Sequence, residues 1–219
     1  DSTHAYMTWE LIKSCYPVLS ITDDEDVDYE DWMMQLENEY EDAYICFKAR
    51  GVDDCIKATQ AFHDAVAMGK ITGACYWAYD CGRDRDPAEL HVFEVKNGQF
   101  NQRLMLTMPN TAFDDMRSII HNVLRCKLIV SGLMDKGGNG REIAEAMETR
   151  YGMERVKGVW FTNEKKDLWA TNMKKCMERK KVTLIPDRDQ EQQFHSIQRR
   201  ATGSKHMVYE ITSSHSSIG

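Results

Sequence analysis

Residues 74–108 read ACYWAYDCGRDRDPAELHVFEVKNGQFNQRLMLTM, and this stretch decides the fold. Its first part, ACYWAYDC (74–81), is aromatic and apolar, which predicts a buried strand. The segment 89–96 alternates, with Leu90, Val92 or Phe93, and Val95 at the apolar positions. Asn97-Gly98 follows, a pair that tolerates positive φ at both positions and so favours a two-residue hairpin turn. Residues 99–108 alternate again through Phe100, Leu104 and Leu106. Three consecutive strands of this kind form an antiparallel meander.

Downstream the period changes. Phe113, Met116, Ile120, Val123 and Leu124 recur at helical spacing, with Thr111 and Asp114 at capping-box spacing ahead of them. KLIVSGL (127–133) is a short continuous apolar run, expected of a central strand covered on both faces. Asp135 and a glycine-rich turn follow, then a helix through Ile143, Ala146, Met147 and Tyr151 that stops at Gly152. The remaining expectations are a strand over 155–161, a helix capped by Asn163 and a short strand over 182–185. A helix over 189–198 and a two-stranded ribbon around Gly203 complete the chain. Trp77 and Trp160 read as core, and His91 and His121 as structural.

Upstream, Trp32, Met33, Leu36, Tyr40, Ala43, Tyr44 and Phe47 form one helical stripe that Gly51 ends. A second helix, capped by Asp53 or Asp54, carries Ile56, Phe62, Ala65 and Val66. The chain of 219 residues has a net charge of -7, but residues 1–70 carry 16 acids against 5 bases, a net of -11. The rest carries a net of +4, so the overall sign does not argue against nucleic acid. We therefore expect an acidic helical appendage over 1–70 and an α/β domain over 71–219. The order β-β-β-α-β-α-β-α describes a mixed sheet flanked by helices, the plan of the ribonuclease H-like fold.

Composition excludes several classes. Hydrophobic residues make up 42% and charged residues 29%, with 4 prolines, so the chain is globular in composition. No apolar run reaches the roughly 18–20 residues needed to span a bilayer, and the polar opening does not read as a secretory leader. The seven cysteines, at 15, 46, 55, 75, 81, 126 and 176, contain no C-x-x-C pair, which argues for a reducing compartment rather than a zinc ribbon or disulfide framework. A Walker A motif, G-x-S-x-G and H-E-x-x-H are all absent, so no nucleotide-binding loop is expected.

The chemistry rests on two strand-end aspartates. Asp80 closes the first strand of the meander, and Asp135 follows the fourth strand. Each alone reads equally as a turn or helix cap. In a mixed sheet the first strand can neighbour the fourth, and the two carboxylates then meet. Such a pair suits a hard divalent cation, Mg²⁺ or Mn²⁺, and two such ions can drive phosphodiester hydrolysis. Lys165 and Lys166, with Lys174, Lys175, Arg179, Lys180 and Lys181, read either as a solvated helix face or as DNA contacts. Arg199, Arg200 and Lys205 on the ribbon fit phosphate contact better.

Tyr79-Asp80-Cys81-Gly82-Arg83-Asp84-Arg85-Asp86 resembles the first motif of the nuclease domain of phage large terminase subunits. Asp135-Lys136-Gly137-Gly138-Asn139-Gly140 resembles its second motif. Val159–Lys166, Leu184–Asp187 and His195–Arg200 are similar to later segments, in order, so the resemblance covers about residues 74–219. It implies a metal-dependent endonuclease that cuts concatemeric viral DNA, in the cytoplasm of the host cell. Asp80 and Asp135 match the first two metal-binding carboxylates, Asp86 a further acidic position, and Asp84 is its neighbour. The resemblance also implies an ATPase motor domain, a small terminase subunit and a portal as partners. The family's third carboxylate is expected just beyond Gly219. Two alternatives stay open: a non-cleaving DNA-binding or docking module, and another ribonuclease H-like nuclease of the resolvase or integrase type.

Overall fold

A seven-stranded mixed sheet carries the molecule, its strands ordered 47–50, 99–108, 88–96, 74–80, 129–135 and 157–159, with 182–183 beside 99–108. The computed structural model describes residues 45–82, 86–138, 140–201 and 207–211. In chain order the elements are β1 (Phe47–Arg50), α1 (Val52–Ala67), β2 (Ala74–Asp80), β3 (Ala88–Lys96) and β4 (Gln99–Met108). Then come α2 (Phe113–Leu124), β5 (Ile129–Asp135), α3 (Gly140–Tyr151), β6 (Lys157–Val159) and α4 (Asn163–Glu178). β7 (Val182–Thr183), α5 (Arg188–Ser196) and the ribbon strands β8 (Ile197–Ala201) and β9 (Met207–Ile211) close the series.

The meander forms as expected. β2 pairs antiparallel with β3, and β3 with β4. Asn97 and Gly98 turn the β3–β4 hairpin with φ of 53° and 74°. Both values lie in the left-handed region that Asn and Gly tolerate best. β5 then lies parallel to β2, and β6 parallel to β5, each reached through a helix.

β2 alternates strictly, which fixes its faces. Cys75, Trp77 and Tyr79 are buried, while Ala74, Tyr76, Ala78 and Asp80 lie on the open side. The buried face joins Leu90, Val92, Leu104 and Leu106 in one core with Phe62 of α1, Met116 and Ile120 of α2, and Ile143 and Met147 of α3. Gly132 faces Trp77 across the β2–β5 pairing. A Cβ there would fall 2.2 Å from the indole, so the indole occupies the space a side chain would need.

Several expectations need correction. Phe47–Arg50 is not a helix end but a strand, parallel to β4, and α1 contributes Cys55, Phe62 and Ala65 to the core. Of the residues grouped above with the appendage, Phe47–Arg50 thus forms a strand of the sheet and α1 packs into its core, in the compact unit that begins at Tyr44. Charge composition hid this because a four-residue edge strand carries almost no period. Caps also moved by a residue or more. Gly51 is the N-cap of α1, with Asp53 and Asp54 in its first turn. Ala112 is the N-cap of α2, and Thr111 donates to the Pro109 carbonyl instead of capping. Thr162, not Asn163, caps α4 by accepting from the Lys165 N–H. Trp160 is 53% exposed and is not core. The stripe over 32–44, the acidic run before it, Asp84 and Lys205 lie outside the described residues.

The buried thiols behave as small apolar side chains. Burial pushes Cys55 up to about 11 and Cys75 up to about 12. We expect neither to react with an alkylating reagent at pH 8 in the native protein, and both to react in denaturant. Peptide mapping after pulse alkylation checks this, and native-state labelling at the rate of a free peptide thiol contradicts it.

Candidate metal centre at the carboxyl ends of two parallel strands

Tyr79 of β2 pairs with Met134 of β5, and both strands end one residue later, at Asp80 and Asp135. The two aspartates therefore stand side by side on strands about 4.8 Å apart. Tyr79 and Met134 both point into the core, at 1% and 0% exposure, so alternation turns Asp80 and Asp135 to the opposite face together.

The turn after β5 is shaped around its carboxylate. The Gly137 N–H donates to Asp135 Oδ1 at 2.9 Å. A Cβ on Gly137 would lie 3.1 and 3.2 Å from the two carboxylate oxygens, so the missing side chain keeps that approach open. The Lys136 N–H donates to the Val159 carbonyl, which ties the turn to β6. Gly140 opens α3 against this turn, where a Cβ would fall 2.4 Å from the Asp135 carbonyl oxygen and 3.1 Å from Cys81 Cβ.

Asp80 is solvent-accessible at the strand end, yet its carboxyl is held above the usual aspartate range. Partial loss of hydration is the largest cause, and the negative charge of Asp135 the next. The Lys166 ammonium opposes the shift, Glu89 adds to it, and the Cys81 N–H opposes it. Two like charges placed together cost free energy, and a divalent cation between them removes that cost. The donors are carboxylate oxygens, the type that Mg²⁺ and Mn²⁺ prefer. On these grounds the residues fit a hard cation. Among the described residues no three His, Cys, Asp or Glu side chains converge into a complete ligand set.

The other sequence-predicted residues fall as follows. Asp86 is exposed at the bend before β3, with its carbonyl against the space a Gly82 Cβ would take. Lys165 and Lys166 sit in the first turn of α4, and Lys166 is the cation acting on Asp80. Arg199 and Arg200 lie on β8, in register with Tyr209 and Val208 of β9. Sequence reasoning missed Glu89. Its signal was its place opposite Asp80, which needed the β2–β3 register.

No family model matches this chain, and no curated protein does. Solved structures do match. The large terminase nuclease of thermophilic phage G20c with bound magnesium is 16% identical, covers 64% of this chain and 72% of its own, and superposes with a TM-score of 0.55. The large terminase nuclease domain of Thermus phage P74-26 is 14% identical over 64% of this chain and 70% of its own, with a TM-score of 0.52. The G20c nuclease with bound cobalt is 16% identical over 64% and 79%, with a TM-score of 0.50. At these identities the likeness concerns the backbone: the chain has the ribonuclease H-like mixed α/β fold of the phage large terminase nuclease domains.

Proposed function

We propose that this chain is a metal-dependent endonuclease domain of a viral DNA-packaging terminase. The observation that carries the proposal is the convergence of Asp80 and Asp135 at one sheet end. The solved structures of the same fold, one with magnesium and one with cobalt, support it. The reaction is phosphodiester hydrolysis: a water oxygen bonds to phosphorus, the bond from phosphorus to a bridging oxygen breaks, and that oxygen takes up a proton. Asp80 and Asp135 would hold Mg²⁺ or Mn²⁺, and two such ions would supply Lewis-acid stabilisation of the attacking and leaving oxygens. The Gly137 N–H orients Asp135, and Lys166 offers positive charge to a phosphate entering beside Asp80. Asp86 is proposed as an auxiliary acid.

Double-stranded DNA is the substrate in this reading, with the packaging motor, small terminase subunit and portal as partners in the host cytoplasm. In this reading the acidic segment before β1 would be the connection to the motor domain. Among the described residues no helix is long and apolar enough to cross a membrane. Cation-dependent nicking of supercoiled plasmid tests the proposal. A docking module that does not cut is the second reading, favoured by the two-carboxylate set among the described residues. It predicts DNA binding with no nicking at any Mn²⁺ concentration.

Binding and cutting separate experimentally. Lys165 and Lys166, with Arg199, Arg200 and Lys205, are the proposed phosphate contacts. Each lost contact should lower the slope of log K against log salt by about 1. We expect Lys165→Ala/Lys166→Ala to weaken metal-free DNA binding at all sequences and to flatten that slope, as read by fluorescence anisotropy. An unchanged slope removes α4 from the DNA interface.

A further inference from the structure

Glu89 is the register partner of Asp80 across the β2–β3 pair. Directly paired residues of antiparallel strands project to the same face, so Glu89 shares the open face with Asp80 and Asp135. The mechanism above does not use it. Its side chain is only partly exposed, and it accepts from His91 Nε2 at 3.1 Å.

A chain of buried amides fixes that contact. The Ile185 N–H donates to Gln102 Oε1 at 2.9 Å, which settles which end of the Gln102 amide carries the hydrogens. Gln102 Nε2 then donates to His91 Nδ1 at 2.8 Å and to Gln190 Oε1 at 2.9 Å. The Gln190 amide is anchored in turn on the Ile185 carbonyl. Gln102 and Gln190 are 3% and 7% exposed, so these partners are not exchanged for water. His91 Nδ1 is thereby an acceptor, and the single ring N–H of the neutral imidazole stands on Nε2, aimed at Glu89. An ordinary surface Glu–His pair has no such support: here three side chains from β3, β4 and α5 hold one carboxylate in one direction.

We propose that Glu89 is a positioning residue of the cation site, adding a third negative charge beside Asp80 and Asp135, and that His91 and Gln102 set its orientation. This rests on the reading of Asp80 and Asp135 as cation ligands. Hydrogen-bonded carboxylates around a metal are the usual means by which a protein tunes affinity, and losing one costs about 10- to 100-fold.

Calorimetric titration of the whole 219-residue chain with Mn²⁺, without DNA, tests it. Glu89→Gln keeps an acceptor for His91 and removes only the charge. It should weaken Mn²⁺ binding about tenfold, with the metal-free melting temperature held. His91→Phe should weaken binding by less, since the charge stays but loses its orientation. Glu89→Asp, which restores the charge on a shorter arm, should recover part of the affinity, and it decides the matter if the Gln variant proves unstable. Affinities of Glu89→Gln and Glu89→Asp within twofold of wild type, while Asp80→Asn loses binding, overturn the proposal and leave the metal centre standing. Wild-type affinity in Asp80→Asn overturns both.

Discussion

Asp80→Asn is expected to abolish Mn²⁺- or Mg²⁺-dependent plasmid nicking, lowering the rate by about 100- to 1000-fold or more, and Asp135→Asn to do the same. The magnitude is that of removing a charge-stabilising group from a reaction centre. Asp80 and Asp135 stand at the ends of adjacent parallel strands, and the Asp135 charge adds to the loss of hydration that makes Asp80 costly to ionise. A cation bound between them would resolve that conflict, and an amide in place of either carboxylate would remove the reason for it to bind.

Stability separates this from simple misfolding. A raised carboxyl pKa in the fold means that the folded state favours the protonated form. Asp80 therefore contributes no penalty below its unfolded pKa, and its penalty grows as pH rises through the folded value. At pH 7 without metal, Asp80→Asn relieves that repulsion, so its melting temperature should equal or exceed wild type. With millimolar Mg²⁺ the wild type should gain stability by binding, and the variant should gain less. A variant that loses nicking and also melts well below wild type without metal would assign the loss to the fold instead.

The second large effect lies away from the site. Glu94 is 0% exposed on β3, on the buried face that carries Leu90 and Val92. Its Oε1 accepts from the Thr72 and Gly73 N–H groups at 2.9 and 2.7 Å, and its Oε2 accepts from Arg103 at 2.7 and 2.8 Å. Arg103 also donates to the Ile45 carbonyl. This one carboxylate thus joins the approach to β2, the β3–β4 hairpin and the start of β1. Glu94→Ala leaves a buried guanidinium and two backbone N–H groups without their partner, at a cost of about 3–5 kcal/mol. Domains of this kind have about 5–15 kcal/mol in total, so the variant should be poorly folded at 37 °C. Urea denaturation measures the loss, and a midpoint shift worth under about 1 kcal/mol contradicts it.

The same carboxylate sets a pH dependence. Burial alone would raise its pKa, but the Gly73 and Thr72 N–H groups and Arg103 outweigh burial and hold it below the ordinary value of 4.5. A depressed pKa gives stability that is present above the unfolded value and is lost as pH falls through the folded one. Glu94→Gln should therefore flatten the acid limb of the stability profile below about pH 4.5.

Asp80 and Asp135 were legible in the sequence because strand periodicity marks strand ends, and two acids at strand ends are unusual. The meander was legible from alternation and from Asn97-Gly98. β1 was not, since Phe47–Arg50 is short and finds its partner 57 residues away, Phe47 against Leu104. Glu94 and Arg103 were hidden for the opposite reason: both read as solvent-facing polar positions, and only tertiary packing buries them. Glu89 needed the register of β2 against β3. Pairing across distance, not local propensity, is what the sequence left unstated.

The most direct test of the metal centre is a crystal grown with Mn²⁺ and measured for anomalous scattering. An anomalous peak between the Asp80 and Asp135 carboxylates, absent in Asp80→Asn crystals treated alike, is the predicted result. Fully occupied Mn²⁺ elsewhere in the chain with none at that strand end would contradict the account.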